Sequence, residues 1–219
     1  MKVKVLVFDA YGTLFNVNSL DQLLEEYYGD QATQLSALWR AKQLQYTWLR
    51  TLMERYKPFS EITMDTLEFA CTQLKLPLNK KIKAHLAQEY DQLAAFAEVK
   101  SVLTELQSKY QLAILSNADP QMLNNAVDHN QLTSYFSWIL SAHSISKFKP
   151  RCEVYQLAVD ATNRKAKNIL FASSNTWDVA GAKSFGLQVA WLKRSTIGLD
   201  NLGFEPDYII ENLSELLDL

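Results

Sequence analysis

Short apolar runs recur along this chain, and amphipathic segments separate most of them. The first run, residues 2–8, is rich in valine and stops at Asp9, with Gly12 soon after. Such a run predicts a strand that is buried on both faces and ends in a turn. Five later runs predict further strands, at residues 112–115, 138–140, 169–172, 189–192 and 208–210.

Helical patterns lie between most of these runs, at residues 99–106, 122–127, 153–159 and 179–184. Strands that alternate with helices favour a parallel sheet covered by helices on both faces. We therefore expect a fold of the α/β class, built on a doubly wound parallel sheet.

The region between residues 20 and 93 has no convincing strand pattern. It begins with a long helical pattern whose apolar residues lie near one face, namely Leu35, Leu38, Trp39, Tyr46, Leu49 and Met53. Further helices are predicted at residues 62–74 and 82–93, with Pro58 and Pro77 as breaks. We expect a helical cap domain at residues 16–95, inserted into a core domain made of residues 1–15 and 96–219.

Charge and hydropathy exclude two classes of partner. The 24 acidic residues nearly balance the 22 basic ones, and no Lys/Arg block of the kind that neutralises nucleic-acid phosphates stands out. No apolar run reaches the roughly 18 residues that a membrane span requires, and no small-residue cleavage site follows the first apolar run. We expect no nucleic-acid or membrane partner, and a cytoplasmic location.

Polar residues follow several of the predicted strands. Asp9 and Thr13 follow the first, Ser116 and Asn117 follow the run at 112–115, and residues 173–178 follow the run at 169–172. Open parallel sheets bind ligands at the carboxyl ends of their strands, so these residues are predicted to share one cleft. Lys149, before Pro150 and a helix, is predicted to join them.

Each of these residues also has an ordinary structural interpretation. An aspartate after a strand is most often a turn former or a helix cap. Ser173 and Asn175 could simply cap the helix that starts near Thr176. Lys149 could close a loop, since a residue before proline favours extended backbone.

Four segments in order, FDAYGTLF, ILSN, KPRCEVY and FASSNTWDVAGA, look like the signature segments of the haloacid dehalogenase superfamily. The segment SALWRAKQLQYTWLR resembles the cap helix of the type II L-2-haloacid dehalogenases, and the likeness extends over essentially the whole chain. It implies a Rossmann-like core with an inserted helical-bundle cap, and commonly a homodimer. It also implies hydrolysis of small L-2-haloalkanoic acids to D-2-hydroxy acids and halide, through a covalent ester and without a metal ion or other cofactor.

The resemblance implies a role for each matching residue. Asp9 would be the nucleophile, and Lys149 would keep it ionised. Ser116, with backbone N–H groups of the first loop, would bind the substrate carboxylate. Four residues would orient Asp9 and the hydrolytic water, namely Thr13, Ser173, Asn175 and Asp178. Tyr155 would support this charged centre.

A second group of matching residues would surround the rest of the substrate. Arg40, Asn117 and the ring edge of Trp177 would cradle the departing halide. The apolar walls would come from Tyr11, Leu44, Phe59 and Trp177. Two departures from the family pattern, Ala41 after Arg40 and Ala10 after the nucleophile, are expected to reshape the substrate pocket.

Two other functions compete with this one. A phosphatase of the same superfamily would hold Mg²⁺ with additional carboxylates, but Tyr11 and Ser174 stand where those carboxylates are expected. A catalytically idle binding module is the other alternative. The retained set of Asp9, Lys149 and Asp178 argues against it, because a buried charged cluster costs stability.

Overall fold

The computed structural model describes residues 3–219, so Lys2 of the first predicted strand lies outside the described residues. Six parallel strands form one sheet in the order β3-β2-β1-β4-β5-β6. Their bounds are β1 Val5–Phe8, β2 Gln111–Ser116, β3 Trp138–Ser141, β4 Ile169–Ser173, β5 Gln188–Leu192 and β6 Tyr208–Ile210. The predicted α/β class with a parallel sheet is confirmed.

Strand β1 lies at the centre of the sheet and is buried on both faces. At its carboxyl end Phe8 pairs in register with Ile114 of β2 on one side and Ala172 of β4 on the other. The strand order changes sides at β1: β2 and β3 lie on one side of it, and β4, β5 and β6 lie on the other. In an open α/β sheet such a switch point opens a crevice for ligands, and Asp9 follows Phe8 directly into it.

Helices cover both faces of the sheet. They are α5 Val99–Leu106, α6 Pro120–His129, α7 Cys152–Thr162 and α8 Thr176–Phe185. Alternate residues of β1 enter two separate apolar clusters, with Leu6 and Phe8 in one and Val5 and Val7 in the other. This period of two is the geometry of a strand between two helical layers.

Four helices lie between β1 and α5. They are α1 Asp21–Tyr28, α2 Ala32–Leu52, α3 Phe59–Gln73 and α4 Lys80–Asp91. The backbone segments that enter and leave this helical region pair with each other: Asn16 N–H donates to Ala94 O at 2.8 Å, and Phe96 N–H donates to Leu14 O at 3.0 Å. The domain boundaries at 15/16 and 95/96 stay a prediction, which this pairing supports.

The predicted apolar face of α2 is wrong at its far end. Leu49 and Met53 are exposed, by 42% and 56%, and the buried positions of α2 include Gln43 and Thr47. Helix α1 has only eight residues and pairs with the first half of α2, where Ser36 Oγ donates to Asp21 Oδ1 at 3.0 Å. The far end of the longer helix therefore projects beyond α1. Across residues 3–219, no helix combines the length and hydropathy needed to cross a membrane.

Candidate active site

Asp9 follows β1 and is held by the loop that comes after it. Thr13 Oγ1 donates to Asp9 Oδ2 at 3.0 Å, and Asn175 Nδ2 donates to the same oxygen at 2.8 Å. Gly12 turns the loop with φ +87°, a conformation that side-chain-bearing residues rarely adopt. Thr13 of this loop and Asn175 at the start of α8 thus fix the carboxylate in one orientation at the mouth of the crevice, where Asp9 is only 6% exposed.

The ammonium of Lys149 lies between two carboxylates. Its Nζ donates to Asp9 Oδ1 at 3.0 Å and to Asp178 Oδ2 at 2.9 Å, and it stands 4.8 Å from the centre of the Phe171 ring. The side chain is fully buried. Burial acts to lower the pKa of Lys149, but the charges of Asp178 and Asp9 outweigh it and raise the pKa above its ordinary value. The group is therefore a permanent cation at neutral pH.

Asp178 lies behind Lys149 and is fully buried. Burial raises the pKa of its carboxyl to about 6, and the nearby Lys149 ammonium limits that rise. Tyr155 donates its hydroxyl to Asp178 Oδ1 at 2.7 Å, and Ser173 donates to Oδ2 at 3.2 Å. Burial also raises the pKa of Tyr155 well above its ordinary value, so the phenol stays a neutral donor.

A small cavity of about 20 Å³ opens in front of Asp9. On the scale of a water-sized probe this is room for about one water molecule. Core and cap both contribute to its wall, which consists of Asp9, Tyr11, Arg40, Leu44, Phe59, Ser116, Asn117, Ala118, Asn175 and Trp177. The Asp9 carboxylate therefore faces a small space lined by both apolar and polar side chains, with the Lys149 cation on its far side.

Cation and amide donors line this cavity opposite the apolar side chains. Arg40 comes from α2, and its Nη1 donates to Gln43 Oε1 at 2.7 Å. Asn117 accepts the Lys149 backbone N–H at 2.9 Å through Oδ1, which turns its Nδ2 hydrogens toward other acceptors. Ser116 Oγ accepts the Ala118 N–H at 3.1 Å, so its own O–H hydrogen can meet an anion.

Family comparison agrees with this geometry. A family model described as haloacid dehalogenase-like hydrolase matches residues 7–192. The chain belongs to this family. The matched range contains every residue around Asp9 described above, and it spans the helical region and strands β2 to β5.

Relatives of this haloacid dehalogenase-like hydrolase match it over its full length. An (S)-2-haloacid dehalogenase 2 from Pseudomonas sp. (strain CBS-3) is 39% identical over 100% of this chain and 96% of the relative. Haloacetate dehalogenase H-2 from Moraxella sp. (strain B) is 37% identical, over 100% and 98%. The solved L-2-haloacid dehalogenase from Xanthobacter autotrophicus with chloropropionic acid covalently bound superposes with a TM-score of 0.92 at 33% identity, covering 99% of this chain and 98% of that one.

In this haloacid dehalogenase-like hydrolase, the two positions where the sequence lacks expected carboxylates have packing roles. The Tyr11 ring stacks on Tyr90, with ring centres 5.7 Å apart and planes 19° apart. Ser174 donates its hydroxyl to Gly12 O at 2.7 Å, and its backbone N–H donates to Thr13 Oγ1 at 2.9 Å. Among residues 3–219, no three His, Cys, Asp or Glu side chains group as metal ligands do.

The structure brings the predicted site residues of this chain together, with the exception of Ala10. Ala10 is fully buried and does not line the cavity; its carbonyl accepts the N–H groups of Thr13, Leu14 and Phe15. Asn175 is at the N-cap of α8, but its side chain makes no capping bond and instead donates to Asp9 and to Tyr11 O. The helix-cap alternative is therefore wrong for the Asn175 side chain.

Sequence reasoning missed two polar residues that support the site. Gln43 is 1% exposed and receives the Arg40 hydrogen bond. Asp119 is 8% exposed and accepts the N–H groups of Phe59 at 2.6 Å and Ser60 at 3.0 Å, at the start of α3. The signal for Asp119 was available, because an aspartate before Pro120 marks a helix start. Gln43 gave none, because a glutamine in a helix is usually solvated.

Proposed function

We propose that this chain hydrolyses small L-2-haloalkanoic acids to D-2-hydroxy acids, with Asp9 as a covalent nucleophile and no metal ion. The observation that carries this proposal is the buried Lys149 ammonium, 3.0 Å from Asp9 and 2.9 Å from Asp178. It supplies, from the chain itself, a positive charge that pairs with the nucleophilic carboxylate. Relatives over the full length are haloacid dehalogenases, which supports the same reaction.

In the first step, a carboxylate oxygen of Asp9 attacks the halogen-bearing α-carbon from the side opposite the halogen. The new C–O bond forms an ester as the carbon–halogen bond breaks, and the halogen leaves with the bonding electrons. Arg40, the Asn117 amide and the ring edge of Trp177 receive the halide. Ser116 and N–H groups of the first loop bind the substrate carboxylate. Displacement from behind inverts the α-carbon, so an L-substrate gives a D-product.

In the second step, water attacks the ester carbonyl that Asp9 now carries. Thr13 and Asn175 hold that group in place, and Ser173 and Asp178 orient the water. Cleavage returns the Asp9 carboxylate and releases the hydroxy acid, with one proton released overall. Splitting one displacement into two easier steps is the usual advantage of covalent catalysis.

The cavity supports a small substrate. The small volume of about 20 Å³ between Leu44, Phe59 and Trp177 favours small haloacids over long-chain ones. The small volume and the 6% exposure of Asp9 also limit the water that can solvate the nucleophile and weaken it. A homodimer stays a prediction, and the exposed apolar residues on the cap that support it are Leu49, Leu52 and Met53.

The phosphatase alternative is disfavoured by positive features of the site. The Lys149 ammonium is bonded to both carboxylates that a magnesium ion would require. Ser174 and Tyr11 bond and stack within the protein, and neither supplies a carboxylate oxygen. The idle-module alternative conflicts with the cost of keeping three charged groups buried around one small cavity.

One assay separates these functions. The protein is incubated with L-2-chloropropionate and, separately, with p-nitrophenyl phosphate, each with magnesium or with EDTA. We expect chloride release that EDTA does not reduce. Phosphate release that requires magnesium, without chloride release, would contradict the proposal.

The covalent step has its own test. Asp9→Asn should abolish chloride release, because an amide is a poor nucleophile, while changing the melting temperature little. In a single turnover in heavy-oxygen water, mass measurement should find the label in the peptide that contains Asp9. Label found only in the hydroxy acid would show that water attacks the substrate directly.

A further inference from the structure

A single amide holds Arg40 at the cavity. Arg40 Nη1 donates to Gln43 Oε1 at 2.7 Å, and Gln43 lies one helical turn further along α2 with a side chain that is almost fully buried. A guanidinium presents several donors in one plane, so a bond to one nitrogen sets the direction of the whole group. The position of the Gln43 oxygen therefore decides where the Arg40 charge points.

The orientation of the Gln43 amide is fixed by the groups around it. Thr63 donates its hydroxyl hydrogen to Phe59 O at 2.8 Å, so its oxygen can only accept at Gln43. Gln43 Nε2 donates to that oxygen at 2.7 Å, which turns Oε1 toward Arg40. The Tyr90 hydroxyl lies 3.1 Å from Nε2 and 3.2 Å from Oε1 and completes the shell. The chain of bonds runs in one direction, from Arg40 to the Phe59 carbonyl.

A second cavity beside Arg40 offers its guanidinium a different position. Arg40 also lines a larger cavity of about 460 Å³, which is bounded by α1, α2 and Tyr90 and is lined by Ala37, Ala41 and Gln43 as well. That space is wide enough for a guanidinium. An Arg40 guanidinium that was no longer bound to Gln43 would be hydrated in this larger cavity and would leave the cavity in front of Asp9.

We propose that Gln43 is a positioning residue for the carbon–halogen bond cleavage, acting through Arg40. Its amide oxygen keeps the guanidinium where the negative charge of the leaving halide develops. A charge fixed in advance stabilises that transition state without the cost of reorganisation. This role rests on the proposed function. It concerns the first chemical step, in which the halide leaves, and it leaves the rate of ester hydrolysis unchanged.

The test measures the two steps separately by rapid quench, with enzyme in excess over L-2-chloropropionate. Gln43→Leu keeps the volume and removes the hydrogen bonds of the amide with Arg40, Thr63 and Tyr90. We expect chloride release to slow by about 10- to 100-fold, because misplacing a catalytic contact by about 1 Å can cost about 10²-fold in rate. The rate of ester hydrolysis should not change. With L-2-iodopropionate the variant should slow halide release less, since iodide leaves more readily than chloride.

Two threonine variants provide a graded effect and a matched control. Thr63→Val removes the acceptor that orients Gln43 and should give a smaller loss in the same step. Thr66→Val removes a buried hydroxyl from the same helix, one that donates to Ile62 O and Thr63 O, and should leave both steps unchanged. Equal losses in the two variants would overturn the proposal, and this comparison still decides if Gln43→Leu does not fold.

A double-mutant cycle shows whether Gln43 acts only through Arg40. If it does, Gln43→Leu added to Arg40→Ala should change halide release by less than about twofold. If the rate losses of the two single variants multiply in the double variant, or if ester hydrolysis is slowed, Gln43 contributes to general stability and the proposal is overturned. A wild-type protein that releases no halide would instead reject the proposed function itself.

Discussion

Asp178 is the residue at which burial and charge compete most directly. Burial disfavours its carboxylate and raises the pKa to about 6, while the Lys149 ammonium and the Tyr155 hydroxyl favour the charged form. A carboxyl with a raised pKa is ionised above that value and gains a proton below it. We therefore expect kcat/KM to fall as the pH drops through about 6, because protonated Asp178 no longer holds Lys149 beside Asp9.

Tyr155→Phe tests this assignment. The variant removes a donor to the charged form of Asp178, so the pKa rises further and the acid limb of the kcat/KM profile moves to higher pH. A hydrogen bond to a charged group is worth about 1.5–3 kcal/mol, and one pH unit corresponds to about 1.4 kcal/mol, so we expect a shift of about one unit or more. Tyr28→Phe, which loses a hydroxyl bonded to Pro77 O in the cap, is the control and should not move the limb. An unmoved limb in both variants would assign the titration to another group.

At this scale the sequence predicts the charged residues well and their neutral supports poorly. Asp9, Lys149 and Asp178 are recognisable because each follows a strand or precedes a helix in a motif. The sequence does not reveal the role of Gln43, because that role depends on its contacts with Arg40, Thr63 and Tyr90. Only the packing of α2 against α3 and α4 brings those groups together.

Helix α8 carries two residues of the site, Trp177 and Asp178. Gly181 lies where α8 crosses Tyr155 and Pro150, and a Cβ added there would stand 2.6 Å from Pro150 Cβ and closer still to the Tyr155 hydroxyl. The glycine thus allows the helix that carries Asp178 to approach the residues that support Asp178. Its place in the last signature segment has this packing reason.

Gly181→Ala should therefore harm both stability and activity. Forcing a methyl group into a packed contact costs about 1–3 kcal/mol, which we expect to measure by urea unfolding, together with a loss of halide release as Tyr155 is displaced. Gly198→Ala is the control, because a Cβ at Gly198 meets nothing within 4 Å, and its effect should stay within about 0.5 kcal/mol. A Gly181→Ala variant as stable and active as wild type would refute the close packing.

Elements were predictable where one signal dominated. All six strands were predicted from continuous apolar runs. In β1 to β5 such runs arise because apolar side chains enter both clusters, whereas in β6 Ile209 is 57% exposed. The buried face of α2 was not predictable beyond its first half. Whether Leu49 is covered depends on the length of α1, a neighbour whose reach a local pattern cannot contain.

At the scale of the whole molecule, Asp119 connects the sheet side of the cavity to the cap side. It stands shortly after β2, and its two carboxylate oxygens accept the N–H groups of Phe59 and Ser60 at the start of α3. A carboxylate at a helix N-terminus satisfies unpaired amides and complements the helix dipole. Phe59, a wall of the cavity, is therefore held in place by a residue of the sheet domain.

Asp119→Ala should loosen this connection. We expect a loss of about 2 kcal/mol in the free energy of unfolding, because two buried N–H groups lose a charged acceptor, and a several-fold higher KM for L-2-chloropropionate as Phe59 shifts. Asp65→Ala on the same helix removes only a partly exposed ion pair with Lys57 and should cost less than about 1 kcal/mol, with KM unchanged. Equal effects of the two substitutions would show that Asp119 has no special part in joining the two regions.

The Lys149 ammonium has a consequence for where such a catalyst can operate. A bound metal has a dissociation constant, so its occupancy follows the composition of the medium and competing ions can replace it. A charge carried on a covalent side chain is present in every folded copy and cannot be extracted by citrate or exchanged for calcium. The proposed reaction would then proceed at the same rate in water poor in minerals as in water rich in them, provided only that the protein is folded.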